Sequence, residues 1–119
     1  MTFNAKVIDN NQTANPAVDC AAVPPEELIR QAENAASFLK ALSHEGRLMI
    51  LCHLISGEKS VTALETLLGQ RQAAVSQQLA RLRLEGLVSC RREGKTIYYA
   101  LADMRVTRMM SLIHDMFCA

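Results

Sequence analysis

From residue 24 onward, apolar residues recur at helical spacing in four stretches, give way to two strand-like runs, and return to helical spacing at the end. Leu28, Ala32, Ala35, Leu39 and Leu42 fall three or four residues apart and so lie on one face of a first helix. Pro24-Pro25-Glu26-Glu27 precedes them, placing proline and acids where a helix N-terminus accepts both. A second helix is expected from Ser43 as N-cap, with Glu45 in its first turn, through RLMILCHLIS to Gly57. Thr62-Ala63-Leu64-Glu65 has the spacing of a capping box and opens a short third helix that stops at Gly69. QAAVSQQLARLRLEG predicts a fourth, with Val75, Leu79 and Leu82 on its inner face and Gly86 ending it. LVSCRR and TIYYAL, around Glu93-Gly94-Lys95, predict a hairpin. A last helix is expected from about Asp103 to Cys118, rich in Met and apolar over a wide arc. Residues 1–23 hold four Asn and no periodicity and read as a mobile tail, leaving 24–118 as one folded domain.

A short helix, a tight turn, a second helix and a basic hairpin make a winged helix-turn-helix: mainly α with a small β-hairpin, in the order four helices, two strands, one helix. Composition agrees. Half of the residues are hydrophobic but only five are aromatic, so Leu, Ala, Met and Ile fill the core, which favours helix packed on helix. No apolar run approaches the roughly 18 residues that span a bilayer, and the N-terminus lacks a basic flank followed by an apolar stretch. A cytoplasmic protein without a membrane partner is expected.

The net charge of +1 conceals segregation. Residues 1–45 carry three basic and six acidic side chains, whereas residues 71–95 carry six basic and two acidic. Such asymmetry reads either as a solvated basic surface or as a face for a polyanion. The placement favours the second. The second helix of a helix-turn-helix offers its outer residues to the major groove, and cations on the hairpin reach phosphates. The candidates for double-stranded DNA are Arg71, Gln72, Ser76, Gln77 and Arg81 on the fourth helix, with Arg91, Arg92 and Lys95 on the hairpin.

Cysteines stand at 20, 52, 90 and 118, never in the short C-x-x-C spacing of a zinc knuckle. A cytosolic chain keeps such thiols reduced, so no static disulfide framework is expected. Cys52 follows Leu48 by four residues and precedes Ile55 by three, on the apolar stripe where free cysteine serves as a small hydrophobe. Cys118, next to the last residue, contributes little to a core. Cys90 in the first wing strand reads as a bystander, and Cys20 in the tail is oxidisable but has no fixed position. His44, His53 and His114 read as surface or hydrogen-bonded residues, and Met109, Met110 and Met116 as core or dimer packing. No metal site or cofactor is expected. A small thiol enzyme is disfavoured, because the chain lacks C-x-x-C, a βαβ pattern and an evident Cys-His-acid set.

The stretch ALSHEGRLMILCHLI, followed by VTALETLLGQRQAAVSQQLARLRLEGLVSCRREGKTIYYAL, resembles the ArsR/SmtB family of dimeric repressors over roughly residues 26–118. The resemblance implies a homodimer joined mainly through its first and last helices, with repression relieved by an inducer. The family's usual inducers are metals, and here the sequence departs. Leu64-Glu65-Thr66-Leu67-Leu68 carries no thiol where arsenic- and cadmium-type members have C-x-C. The last helix offers only Asp103, His114 and Asp115, without the zinc-type spacing; His114 and Asp115 are adjacent and project about 100° apart. The placement of Cys52 and Cys118 looks like that of the thiol-based branch, which responds to persulfides or oxidants, and the likeness extends to Cys20. The resemblance thus implies a dithiol switch: Cys52 and Cys118 close a disulfide or polysulfide bridge that releases operator DNA. A metal-responsive repressor is the alternative of the same fold. One further departure is Arg71, where the family often caps the fourth helix with Ser or Thr. Gln70 is the other candidate for that cap, which leaves Arg71 free for a phosphate.

Overall fold

The computed structural model describes residues 22–118, so Cys20 and nearly all of the expected tail lie outside the described residues. Five helices and three strands follow in order: α1 (Pro25–Leu42), α2 (Glu45–Leu54), β1 (Lys59–Ser60), α3 (Val61–Leu68), α4 (Gln72–Leu84), β2 (Val88–Glu93), β3 (Thr96–Leu101) and α5 (Met104–Phe117). The chain divides into two units, residues 1–36 and 37–119, with the boundary inside α1.

In the first unit α1 opens with Leu28 N–H donating to the Pro24 carbonyl at 2.9 Å, and Gln31 bonds Glu27 one turn away at 3.2 Å. Glu26 and Glu27 occupy the first turn, where carboxylates complement the helix dipole.

The second unit holds the core. Ile50, Leu51 and Leu54 of α2 are buried together with Leu64 of α3, Val75, Leu79 and Leu82 of α4, Leu87, Val88, and Val106 and Met110 of α5. Ala41 and Leu42 close it at the end of α1. The inner face expected for α4 is the one that is buried. No polar or charged residue is buried among the described residues, so apolar packing alone fills this interior.

The wing forms as the hairpin pattern predicts, with Glu93 opposite Thr96 and Gly94-Lys95 as the two-residue turn. Gly94 has φ +63°, a conformation a side chain would resist. The sheet has a third strand that the sequence pattern does not predict. β1 pairs antiparallel with β3, Lys59 opposite Tyr99 and Ser60 opposite Tyr98, giving the order β1-β3-β2. Two residues are too short for an alternation to show.

Two helix starts differ from expectation. His44, not Ser43, caps α2: its Nδ1 accepts from Gly46 N–H at 3.1 Å, while Ser43 Oγ turns back to the Lys40 carbonyl at 3.1 Å. Ser60, not Thr62, caps α3, its Oγ accepting from Ala63 N–H at 3.0 Å. The extended backbone at the end of β1 sets Ser60 in capping geometry, which places Thr62 already inside the helix.

α5 starts at Asp103, whose Oδ1 accepts from Arg105 N–H at 2.8 Å. The Arg105 guanidinium grips the same carboxylate at 2.6–3.1 Å and lies 4.8 Å from the Phe38 ring centroid. Those bonds hold the Asp103 carboxyl below the usual aspartate range. Replacing Asp103 by Ala should therefore lower stability by about 1 kcal/mol at neutral pH, the usual cost of an N-cap. Because the folded carboxyl titrates below its unfolded value of about 3.9, the contribution is complete above that pH and fades as acid protonates the folded form. Urea unfolding of parent and variant should thus differ at pH 7 and converge on acidification; a difference that persists in strong acid contradicts the cap.

Candidate DNA-facing surface and thiol pocket

Burial of Val75, Leu79 and Leu82 turns the opposite side of α4 to solvent. Arg71, Gln72, Ser76, Gln77 and Arg81 are all exposed there. Arg71 occupies the N-cap position with an extended backbone and makes no side-chain capping bond. Gln70 does not take over the role, since its Oε1 is buried without a hydrogen-bond partner. The start of α4 is therefore uncapped by a side chain, and the exposed Arg71 guanidinium has no hydrogen bond or ion pair among the described residues. Arg81 leans on Glu85 one turn on, at 3.4 Å.

α4 rests against the start of α2. Gly46 is buried there, and a Cβ at this position would run into the Gln78 side chain, so glycine permits the approach. The close packing brings His44 and Arg47 beside Gln77, Gln78 and Arg81 around a hollow of about 410 Å³. Arg47 also donates to the Ala41 carbonyl at 2.6 Å and to the Lys40 carbonyl at 3.3 Å, closing the end of α1. His44 and Arg47 thus join a polar surface to which the sequence pattern did not assign them. Gly46, a glycine in the first turn of a helix, was the signal that another element comes close.

On the wing the three cations part company. Arg91 Nε and Nη2 grip both oxygens of Glu58 at 2.8 and 2.5 Å, its Nη1 reaches Glu93 at 3.1 Å, and its guanidinium lies 4.6 Å from the Tyr98 ring centroid. The bidentate bond holds Glu58 below the usual carboxylate range and strengthens the arginine's hold on its proton. Arg91 is thus a clamp between the wing and the turn before β1. Arg92 and Lys95 are exposed, with no hydrogen bond or ion pair among the described residues.

Cys52 is not in the core. It is exposed on α2, because Ile50, Leu51 and Leu54 take the buried side; Leu48 is only partly buried and Ile55 is exposed. Cys118, the C-cap of α5, is exposed as well, its N–H donating to the His114 carbonyl at 2.8 Å. The two line one cavity of about 330 Å³ between α2 and α5. Ile55 and Ser56 complete the α2 wall; Met110, Ser111, Ile113, His114 and Asp115 complete the α5 wall. Cys90 sits apart, half-buried in β2 opposite Tyr99. His114 and Asp115 are adjacent in α5 and both border this cavity. Among the described residues no three His, Cys, Asp or Glu side chains gather closely enough to hold a metal ion.

A family model described as bacterial regulatory protein, arsR family, matches residues 44–89, from the α2 cap into β2. The biofilm growth-associated repressor of Agrobacterium fabrum is 41% identical over 86% of this chain and 87% of its own length. The chain belongs to the ArsR family. The transcriptional activator HlyU of Vibrio cholerae is 39% identical over 87% of this chain and 95% of its own. Its reduced form matches the structure with a TM-score of 0.76 at 40% identity, covering 79% of this chain and 99% of that one. A homodimeric winged helix-turn-helix DNA-binding domain from Mycobacterium bovis matches with a TM-score of 0.68 at 34% identity, over 80% of this chain and 88% of that one. The ArsR-family chain is accordingly a winged helix, with α3 and α4 as its helix-turn-helix and β2–β3 as its wing.

The clamp has a direct consequence. Arg91→Ala and Glu58→Ala should each weaken amide protection across β2 and β3, Arg91→Ala the more because it also loses Glu93 and the Tyr98 ring. The double variant should add little to Arg91→Ala alone. Hydrogen exchange in which the two effects simply sum would show that the residues act separately.

Proposed function

We propose that this ArsR-family chain is a homodimeric DNA-binding transcriptional repressor that senses reactive sulfur through Cys52 and Cys118. The observation that carries the reading is their shared cavity: two thiols far apart in sequence border one space, on helices whose relative position matters. α2 also packs against α4, so whatever ties α5 to α2 bears on the recognition helix. The relatives with known roles are transcriptional regulators, which removes the thiol-enzyme alternative. HlyU of Vibrio cholerae, one of them, has a structure in reduced form, which fits a family in which redox state is a variable.

The chemistry is thiol exchange. One cysteine sulfur attacks the outer sulfur of an organic persulfide R–S–SH, forming Cys–S–SH and releasing R–SH. The second thiol then attacks the inner sulfur of that persulfide, closing Cys52–S–S–Cys118 and expelling H₂S. If both cysteines are first persulfidated, a further R–SSH acts as oxidant: a tetrasulfide closes while that molecule leaves as R–SH and H₂S. Extra sulfur atoms lengthen the reach, so a pair too far apart for a disulfide still bridges. Closure holds α5 against α2 and biases the dimer away from a spacing that matches successive major grooves. A coupling on the order of 1–3 kcal/mol suffices to change occupancy.

Dimerisation fits the exposed apolar side of α5, where Leu112, Met116 and Phe117 are each more than half exposed in the single chain. DNA reading belongs to Gln72, Ser76 and Gln77, with phosphate contacts from Arg71, Arg81, Arg92 and Lys95; Arg91 acts mainly by holding the wing in place.

Three outcomes are expected from anisotropy titrations on a duplex selected from a random library. Cys52→Ser and Cys118→Ser should bind like the parent but keep the DNA when an organic persulfide is added, whereas Cys90→Ser should release it. If Cys118→Ser releases DNA as the parent does, the pair is not the sensor. Gln77→Ala should lose about 1–3 kcal/mol of discrimination between operator variants. Arg92→Ala or Lys95→Ala should weaken all sequences alike and lower the salt slope by about one for each phosphate left without its cation. An unchanged slope would remove the wing from the interface.

A further inference from the structure

We propose that His114 is the proton acceptor for the cysteines of this cavity, taking the thiol proton as sulfur attacks and returning it to the departing thiolate. The inference rests on the dithiol reading above and adds to it the group that manages the proton.

Four ionisable side chains border the cavity: Cys52 from α2, and His114, Asp115 and Cys118 from α5. Attack by a thiol at neutral pH needs a base that binds its proton and gives it up again. Among side-chain classes, carboxylates and hydroxyls are poorly matched to that exchange with a thiol. Imidazole alone among these groups works in both directions near neutrality. His114 stands one helical turn before Cys118, so both project from one side of α5 toward the space that Cys52 enters from α2. Its ring makes no hydrogen bond among the described residues, in contrast to His44, whose Nδ1 is committed to the α2 cap. Ile55, Met110 and Ile113 supply the apolar part of the wall, so His114, Asp115 and the two thiols are the ionisable groups gathered there.

In the first step the thiol S–H bond breaks with its proton moving to an imidazole nitrogen, while the sulfur's electron pair forms the new bond to the outer sulfur of R–S–SH. The S–S bond of the reagent breaks, R–S⁻ departs, and imidazolium returns the proton to give R–SH and neutral His114. No oxidant beyond the persulfide is required. In the bridging step the same ring takes the second thiol's proton and delivers it to HS⁻.

The test uses the full-length protein, with each cysteine followed by peptide mass spectrometry at pH 7. Two reagents are compared: cysteine persulfide, and iodoacetamide as an electrophile unrelated to sulfur sensing. His114→Ala and His114→Gln should both slow modification of Cys52 and Cys118 by roughly tenfold or more with either reagent, and leave Cys90 unchanged. Glutamine keeps the bulk and polarity of the ring without its basicity, so a residue with a merely structural role would be rescued by it. Added free imidazole should restore the rate in His114→Ala, where the truncated side chain leaves room. His114 is exposed, so neither variant disturbs the core. Unchanged rates in both variants, or no restoration by imidazole, would overturn the assignment even if persulfide still releases DNA. Rates that depend on His114 with iodoacetamide, in a protein indifferent to persulfide, would uphold it and refute the sulfur-sensing reading instead.

Discussion

Ile50, Leu51 and Leu54 have to be out of water, and most of what this molecule offers to others follows from that demand. The three are essentially inaccessible, and the helix that carries them touches α3, α4, α5 and β3. Each such side chain contributes about 1.5–3 kcal/mol on burial, so α2 cannot rotate to present another face. With those residues fixed inward, Cys52, Ile55 and Ser56 are turned toward α5, and Gly46 is pressed against Gln78 of α4. One helix thereby joins the thiol pocket to the surface expected to read DNA, with no separate relay between them.

The wing is held by a different kind of force. Its strands are mostly exposed or half-buried, and the Arg91–Glu58 clamp, stacked on Tyr98, ties the middle of the hairpin to the turn before β1. Arg92 and Lys95 extend beyond that clamp. Of the three wing cations, Arg92 and Lys95 are exposed without a partner among the described residues, and Arg91 holds the strand that carries Arg92.

The architecture was legible in the sequence because five periodic segments and a hairpin turn leave few arrangements. α4 is the clearest case: Val75, Leu79 and Leu82 were the only inward stripe available, so its polar face followed. The misses have local causes. Ser60 and His44 cap their helices because their own backbone is extended there, a feature that residue type alone does not show, and β1 is too short for any alternation. Cys52 misled for a different reason. RLMILCHLI is apolar on several sides, so its neighbours Leu48 and Ile55 suggested a core stripe when the true one runs through Ile50, Leu51 and Leu54. Which cations pair internally could not be read either, since Glu58 lies more than thirty residues from Arg91 and meets it only across the sheet. The pairing of Cys52 with Cys118 came from family resemblance; their common cavity is what the folded chain adds.

On the proposed mechanism these two thiols close on one another within a single chain. Persulfide-treated protein, digested without reduction and mapped by mass spectrometry, tests it most directly. The account predicts one linked pair of peptides, carrying Cys52 and Cys118 joined by two to four sulfur atoms, formed within one protomer as mixed isotope-labelled and unlabelled dimers would show, with Cys90 unlinked. Linkage through Cys90, bridges that join labelled to unlabelled chains, or release of DNA with Cys52 and Cys118 unlinked would contradict it.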